Sequence, residues 1–415
     1  MKARLVKRCL KDRSSPGQCR ILILTGARQT GKTTLARMSF PDFAYIAVDD
    51  PVMRIQYSSM NASQWHNSFP SAVLDEVQKA PSLIESIKSA HDQYPGTRYV
   101  LTGSSQLLLL NKVRESLAGR CAIFEIFPLT IPEILTSAWE EEIRHSFFQS
   151  FLETGVLPEY KPSFSMEHDF AKREEAFRYY LYNGAYPALI DPALNDDSRY
   201  EWLKDYVRTY LERDVRDLAD FRSLEPFVKL QKMTSLITGN LVNYSTLARS
   251  AGVSIPTIRR FINYLELSYQ VILLPSWSRN ISKRLVKSPK LHYLDPGVQK
   301  AIIQKRGMPA GNEFESAVVG EIYKQTQSIQ YPVSYFHLRT ADGREVDLLL
   351  ETERGYIAIE IKTTGKVATP DARHLKDLDS ILDKPLIQAF ILSEDPVTRE
   401  ISDKILAIPA AMFLS

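Results

Sequence analysis

The sequence predicts a multidomain α/β protein, and three observations predict it. The first third alternates short apolar runs with helical stretches. A Gly-x-x-x-x-Gly-Lys-Thr segment follows the first of those runs. The C-terminal quarter returns to mixed strands and helices around a hairpin pattern. Alternating strand and helix implies parallel strands with helices on both faces. A length of 415 residues leaves room for several such units.

The apolar runs ILILT (21–25), FAYIAV (43–48), SAVLDE (71–76), RYVLTG (98–103) and CAIFEIF (121–127) read as buried strands. From about Pro132 to Arg222 the pattern turns helical and aromatic, with Gly184 and Pro187 breaking it. From Leu224 to about Arg306, short helices lead into an extended basic stretch, and Pro309–Asn312 reads as a linker. The expected units are therefore 1–135, 136–223, 224–308 and 309–415.

Composition narrows the class. Hydrophobic residues make 44% and charged residues 24% of the chain, which excludes disordered and fibrous proteins. No apolar run is long enough to span a bilayer, so no membrane partner is expected. The N-terminal MKARLVKRCLKDR is charged and lacks the apolar centre of a secretory signal. Cys9, Cys19 and Cys121 are sparse and lack metal-ligand spacing, which points to a reducing, cytoplasmic setting. The net charge of +3 conceals a gradient. Residues 201–310 hold 18 basic and 9 acidic side chains, a surplus of +9, which leaves −6 on the remaining 305 residues. A basic block of this kind suits a polyanion partner.

Gly26-Ala27-Arg28-Gln29-Thr30-Gly31-Lys32-Thr33 lies between a strand and a helical TTLARMSF. Its glycines let backbone N–H groups wrap phosphate oxygens, and the helix N-terminus adds positive potential. The pattern predicts ATP as ligand, with Lys32 on the β- and γ-phosphates, Thr33 on Mg²⁺ and Thr34 beside them. Ala72–Glu76 is an apolar strand ending in two acids: Asp75 would hold Mg²⁺ through water, and Glu76 would orient or deprotonate the attacking water. Thr102-Gly103-Ser104-Ser105 ends the next strand, and a hydroxyl there, Ser104 in particular, can sense the γ-phosphate. Arg120 directly precedes a strand, from which it could reach a neighbouring subunit's γ-phosphate in a homo-oligomer; a surface salt bridge is the alternative.

The segments ILILTGARQTGKTTLA, AVLDEVQ, LTGSSQLLL and SLAGRCAIFEIFPLTIPEIL resemble the AAA-type P-loop ATPases of bacteria and archaea. YNGAYPAL, YLERDVRDL and KRLVKSPKLHYLDPGV look like the uncharacterised C-terminal domain that usually accompanies this ATPase. The resemblance implies ATP hydrolysis with Mg²⁺.

Within the basic block, Asn243–Ser254 reads as a helix, a tight turn at Gly252 and a second N-cap, with Pro256 tolerated in the first turn. Ile255, Ile258, Phe261, Ile262 and Leu265 form the expected buried stripe, and Thr257, Arg259, Arg260 and Asn263 the opposite face. VILLPSW and KLHYL would then form a two-stranded wing carrying Arg279, Lys283, Arg284, Lys287 and Lys290. This resembles a winged helix, a fold that serves either DNA binding or protein contact.

The C-terminal unit offers REVDLLLE, a four-residue loop Thr352–Gly355, and YIAIEIKTT. A loop of that length pairs Glu351 with Tyr356, which sets Asp347 opposite Glu360 on one sheet face. Lys362, two residues on, projects from the same face. Two such carboxylates can share a second divalent metal, Mg²⁺ or Mn²⁺, with Glu315 or alternatively Glu321 completing the site. Asp followed by Glu-x-Lys across a hairpin resembles the PD-(D/E)XK nucleases, with Val346 replacing the family's proline. The resemblance implies a restriction-endonuclease-like fold that either cleaves nucleic acid or only binds. The functional expectation is an ATP-driven switch acting on a nucleic-acid-binding module; the alternative is a switch whose C-terminal units bind a protein partner and cut nothing.

Overall fold

The first core forms around five all-parallel strands: β1 (Ile21–Thr25), β2 (Ala44–Ala47), β3 (Ser71–Asp75), β4 (Arg98–Thr102) and β5 (Cys121–Glu125), in the order β2-β3-β4-β1-β5. In this computed structural model, residues 1–14, 19–103, 116–159, 168–211, 223–280, 282, 284, 287–340 and 342–415 are described. Every residue of β1 is buried, because helices cover both faces. Ile21, Ile23, Leu74 and Leu101 pack beneath α4 (Ala62–Ser68) and α5 (Leu83–Gln93). Leu22, Leu24, Val73 and Val100 face α1 (Val6–Arg13) and α2 (Lys32–Ser39). The side-chain period of two thus sorts each strand between two apolar layers. α3 (Pro51–Ser59) follows β2, capped by Asp50, whose side chain accepts from Val52 and Met53 N–H groups.

The next stretch is helical: α6 (Ile131–Leu135), α7 (Phe147–Thr154), α8 (His168–Asn183) and α9 (Asp196–Tyr206), which runs into a π turn at Val207–Leu211. Read from sequence as part of a linker, α7 and α8 put Phe147, Phe148, Phe151 and Phe177 into the core of the C-terminal sheet. A third unit follows with α10 (Glu225–Leu236), β6 (Asn240–Leu241), α11 (Tyr244–Ala251), α12 (Ile255–Leu267), β7 (Val271–Leu274) and β8 (Lys290–Tyr293). Its strands are antiparallel in the order β6-β8-β7. Gly252, at φ 70°, ends α11, and Ser254 caps α12 by accepting from Thr257 N–H. α13 (Pro296–Ile302) starts at Asp295, whose carboxylate accepts from Val298 and Ala185 N–H groups.

The last unit lays α14 (Asn312–Ser328) and α15 (Ala410–Leu414) on a six-stranded mixed sheet, order β13-β14-β12-β11-β10-β9. Its strands are β9 (Ser334–Arg339), β10 (Glu345–Glu351), β11 (Tyr356–Lys362), β12 (Leu386–Ser393), β13 (Arg399–Ser402) and β14 (Ile405–Pro409). Among the described residues no helix is long and apolar enough to cross a membrane.

Candidate nucleotide site and C-terminal cavity

The first site is built where β1 meets α2. Gly26 takes φ 142°, and a Cβ there would stand 2.2 Å from the Ile126 carbonyl oxygen, so only glycine lets the loop turn against β5. Gln29 (φ 62°) and Gly31 (φ 85°) take left-handed backbone on the way into α2. Lys32 is buried with its ammonium folded into the loop, donating to the carbonyls of Gly26 at 2.9 Å and Ala27 at 2.6 Å. Thr30 Oγ1 donates to Ala27 O at 2.9 Å. Arg28 is half-buried, and Gln29 and Thr34 are exposed on the loop's outer rim.

Across the loop, the Thr33 hydroxyl lies 2.9 Å from both Asp75 carboxylate oxygens. Buried Asp75 also accepts from Tyr45 Oη at 2.8 Å and from the Thr102 hydroxyl. Burial, then the Asp75 bond, pushes the Tyr45 phenol well above its ordinary range. A hydroxyl facing a carboxylate is a hard-oxygen donor set that suits Mg²⁺. Glu76 follows at φ 59°, its N–H turned to Thr102 Oγ1 and its carboxylate accepting from Gln78 Nε2. Left-handed backbone at a non-glycine residue costs energy and clusters at working sites.

Three participants escaped the sequence reading. Thr102 supplies a strand-end hydroxyl bonded to Asp75; Ser104 lies outside the described residues. Tyr45 comes from within β2. Arg4 braces the loop from the N-terminal arm, donating to Thr30 O and Phe127 O, each at 2.8 Å, while its Nε meets buried Glu133 at 3.2 Å. No sequence motif marks Arg4. Arg120 pairs with Asp92 at 2.8 Å, and that bond draws the Asp92 carboxyl down to about 2. Because Ile21 aligns with Cys121 and Thr25 with Glu125, Arg120 lies at the sheet edge opposite its own loop.

The second site lies in the C-terminal unit. Glu351 pairs with Tyr356 and Leu348 with Ile359, the register the four-residue loop dictates. A bulge against β9 between Val346 and Leu349 re-aims Asp347, whose Oδ2 accepts from Ile361 N–H at 2.9 Å. Asp347, Glu360, Lys362 and Glu315 line one cavity of about 560 Å³. Burial, then neighbouring Asp347, pushes Glu315 up to about 8 and Glu360 up to about 7. Lys362 Nζ donates to Glu360 Oε1 at 2.6 Å. Glu321, the alternative ligand, is elsewhere: its carboxylate accepts from Ile131 N–H and pairs with Lys324, both at 2.7 Å.

The basic wing requires correction. Lys290 is not on a solvated surface: it is buried, and its Nζ lies 2.6 Å from Glu315 Oε1 and 3.0 Å from Asp347 Oδ1. Arg279 donates to the carbonyls of Ser380 and Leu382, and Arg284 pairs with Glu351 and Asp383. These cations join two units because the connection between β7 and β8 runs against β9, where Trp277 N–H donates to His337 O at 2.7 Å. Lys287 is exposed, and Lys283 lies outside the described residues. On α12, Arg259, Arg260 and Asn263 are exposed, with Arg259 over the Tyr244 ring at 4.2 Å. Ile255 is 42% exposed rather than part of the stripe, since it opens the helix beyond the edge of the core.

An AAA domain family matches residues 18–135. Two domains of unknown function, DUF8612 and DUF4143, match residues 174–308 and 310–413. The uncharacterized protein Rv2008c of Mycobacterium tuberculosis is 26% identical over 404 residues, covering 95% of this chain and 81% of that protein. The uncharacterized protein MJ1544 of Methanocaldococcus jannaschii is 22% identical over 315 residues, covering 71% of this chain and 64% of that one. Among solved structures, the Walker-type ATPase PABY2304 of Pyrococcus abyssi is similar at 14% identity and a TM-score of 0.45, over 72% of this chain and 94% of that one. The N-terminal unit matches an AAA domain and the C-terminal unit an uncharacterised one.

Proposed function

We propose that this protein is an ATP-dependent switch whose N-terminal domain binds and hydrolyses ATP with Mg²⁺ and whose C-terminal units engage nucleic acid. The carrying observation is the approach of Thr33 to Asp75 at 2.9 Å beside a loop already filled by the Lys32 ammonium. That ammonium, now held by two carbonyls, can turn to the β- and γ-phosphate oxygens without leaving the loop. Thr33 and Asp75 would hold the metal, which when bound neutralises charge on the transferring phosphoryl group. Glu76 would orient the attacking water, its backbone fixed beside Asp75 by Thr102.

Exposed Arg259, Arg260 and Asn263 on α12 support the nucleic-acid reading. A second reading, a protein partner at the same units, draws support from the internal ion pairs of Arg284 and Lys290, which remove cations from the basic face. Calorimetric titration tests the nucleotide site: Lys32→Ala is expected to lose ATP binding, and Glu76→Gln to bind ATP while hydrolysing it slowly. Wild-type affinity in Lys32→Ala would refute the assignment. Electrophoretic shift at rising salt separates the partners. DNA binding that weakens steeply with salt and is lost in Arg259→Ala/Arg260→Ala supports nucleic acid, and no shift at low salt supports the protein partner.

A further inference from the structure

We infer that Lys290 is the resident cation of the C-terminal cavity, standing where the hairpin carboxylates would otherwise hold a divalent metal. The inference does not depend on ATP chemistry; it specifies how the C-terminal unit works. Lys290 Nζ is met by Glu315 from α14 at 2.6 Å, Asp347 from β10 at 3.0 Å and Glu345 at 3.8 Å. Carboxylates from a helix and a strand close on one cation here, although among the described residues no group of three or more His, Cys, Asp or Glu is placed to hold a metal. The charge at their centre is an ammonium donated by the neighbouring unit.

The lysine and a metal cannot share the place. An ion coordinated by the same two oxygens would share them with the ammonium, and like charges held that close repel strongly in a poorly solvated cavity. Nor can Lys290 withdraw as a surface lysine would. Its residue is 4% exposed and opens β8, paired with Leu241 on one side and Leu274 on the other. The fourth carboxylate is also engaged, since Glu360 Oε1 accepts from Lys362. Glu360 Oε2 is buried without a hydrogen-bond partner, so one oxygen of the set stays open to a cation once the ammonium is removed. The donor set therefore does not fit a divalent metal while Lys290 is present. With that place held by Lys290, the cavity, whose lining also carries Arg339 and Arg373, is not expected to support metal-dependent cleavage.

The test is Mn²⁺ titration of nucleotide-free full-length protein, followed by water-proton relaxation. Wild type is expected to show no Mn²⁺ site that Asp347→Asn removes. Lys290→Met keeps an unbranched stem up to the Cε position and removes the ammonium with its charge. It is expected to gain one Mn²⁺ site per chain, at least ~10-fold tighter than any in wild type, and to lose it again in Lys290→Met/Asp347→Asn. Lys290→Arg retains the charge and is expected to gain none. An Asp347-dependent site in wild type would overturn the inference. So would the absence of a site in Lys290→Met protein that keeps wild-type circular dichroism and ATP binding. Should Lys290→Met not fold, the comparison of wild type with Asp347→Asn decides the question alone.

Discussion

Tyr269, in the unit that carries β6 to β8, donates its phenolic hydrogen to Glu125 Oε1 at 3.2 Å. Glu125 ends β5 beside Thr25, the residue before Gly26, and Thr25 Oγ1 is itself 3.5 Å from the phenol. Tyr269 is held at φ 59° in the turn between α12 and β7, so one strained residue connects the nucleotide loop to the exposed helix face. Tyr269→Phe is expected to bind ATP normally and to lose about 1 kcal/mol of stability. The informative readout is hydrogen exchange: ATP should protect α12 amides in wild type and protect them less in the variant. Equal protection in both would remove this residue from the coupling.

Gly26→Ala tests the loop's backbone. The added methyl meets the Ile126 carbonyl at 2.2 Å, and φ 142° disfavours any side chain. A loss above about 3 kcal/mol is expected in chemical denaturation, with ATP binding lost although Lys32 is intact.

Arg4→Ala leaves Glu133 buried without its countercharge; the two side chains are 4% and 0% exposed. A destabilisation of about 3–5 kcal/mol is expected. Glu133 keeps its bonds to the Leu5 and Thr130 N–H groups. Adding Glu133→Gln should therefore restore part of the lost melting temperature.

Burial raises Glu266 to about 7. Its folded pKa exceeds the unfolded value, so the native state binds more protons between about 4.5 and 7. That contribution to stability is complete at acid pH and is lost as pH rises through 7. Glu266→Gln should flatten the fall in melting temperature between about pH 5 and 8; an unchanged slope would assign the fall to other groups.

Arg120 lies at the strand end opposite its own loop, so an action on ATP would be in trans. Mixing Arg120→Ala with Glu76→Gln protein is expected to raise hydrolysis above the sum of what the two show separately. A monomeric mass in light scattering with no restoration would leave Arg120 as the partner of Asp92 only.

Local patterns carried well into three dimensions. The strand runs of the first sheet, the cap at Ser254 and the hairpin register at Glu351 and Tyr356 all depend on residues close in sequence, where period, capping and loop length act directly. Long-range partnerships were illegible. Arg4 reads as one more N-terminal cation, and Lys290 as one more residue of a basic stretch, because charge on a sequence does not say which surface another unit covers. The only local sign of Lys290's burial is its place at the head of the apolar run KLHYL.

The Arg4 brace also sets an order in time. Its partner Glu133 lies 129 residues away along the chain. Closing so long a loop is entropically costly and slow compared with forming β1 or α2. During synthesis the arm therefore waits through the emergence of the whole first sheet before its anchor exists. The phosphate loop would acquire its final shape as one of the last events in that domain's maturation. Nascent chains halted before residue 133 should carry the complete Gly26–Thr33 motif and still fail to retain nucleotide.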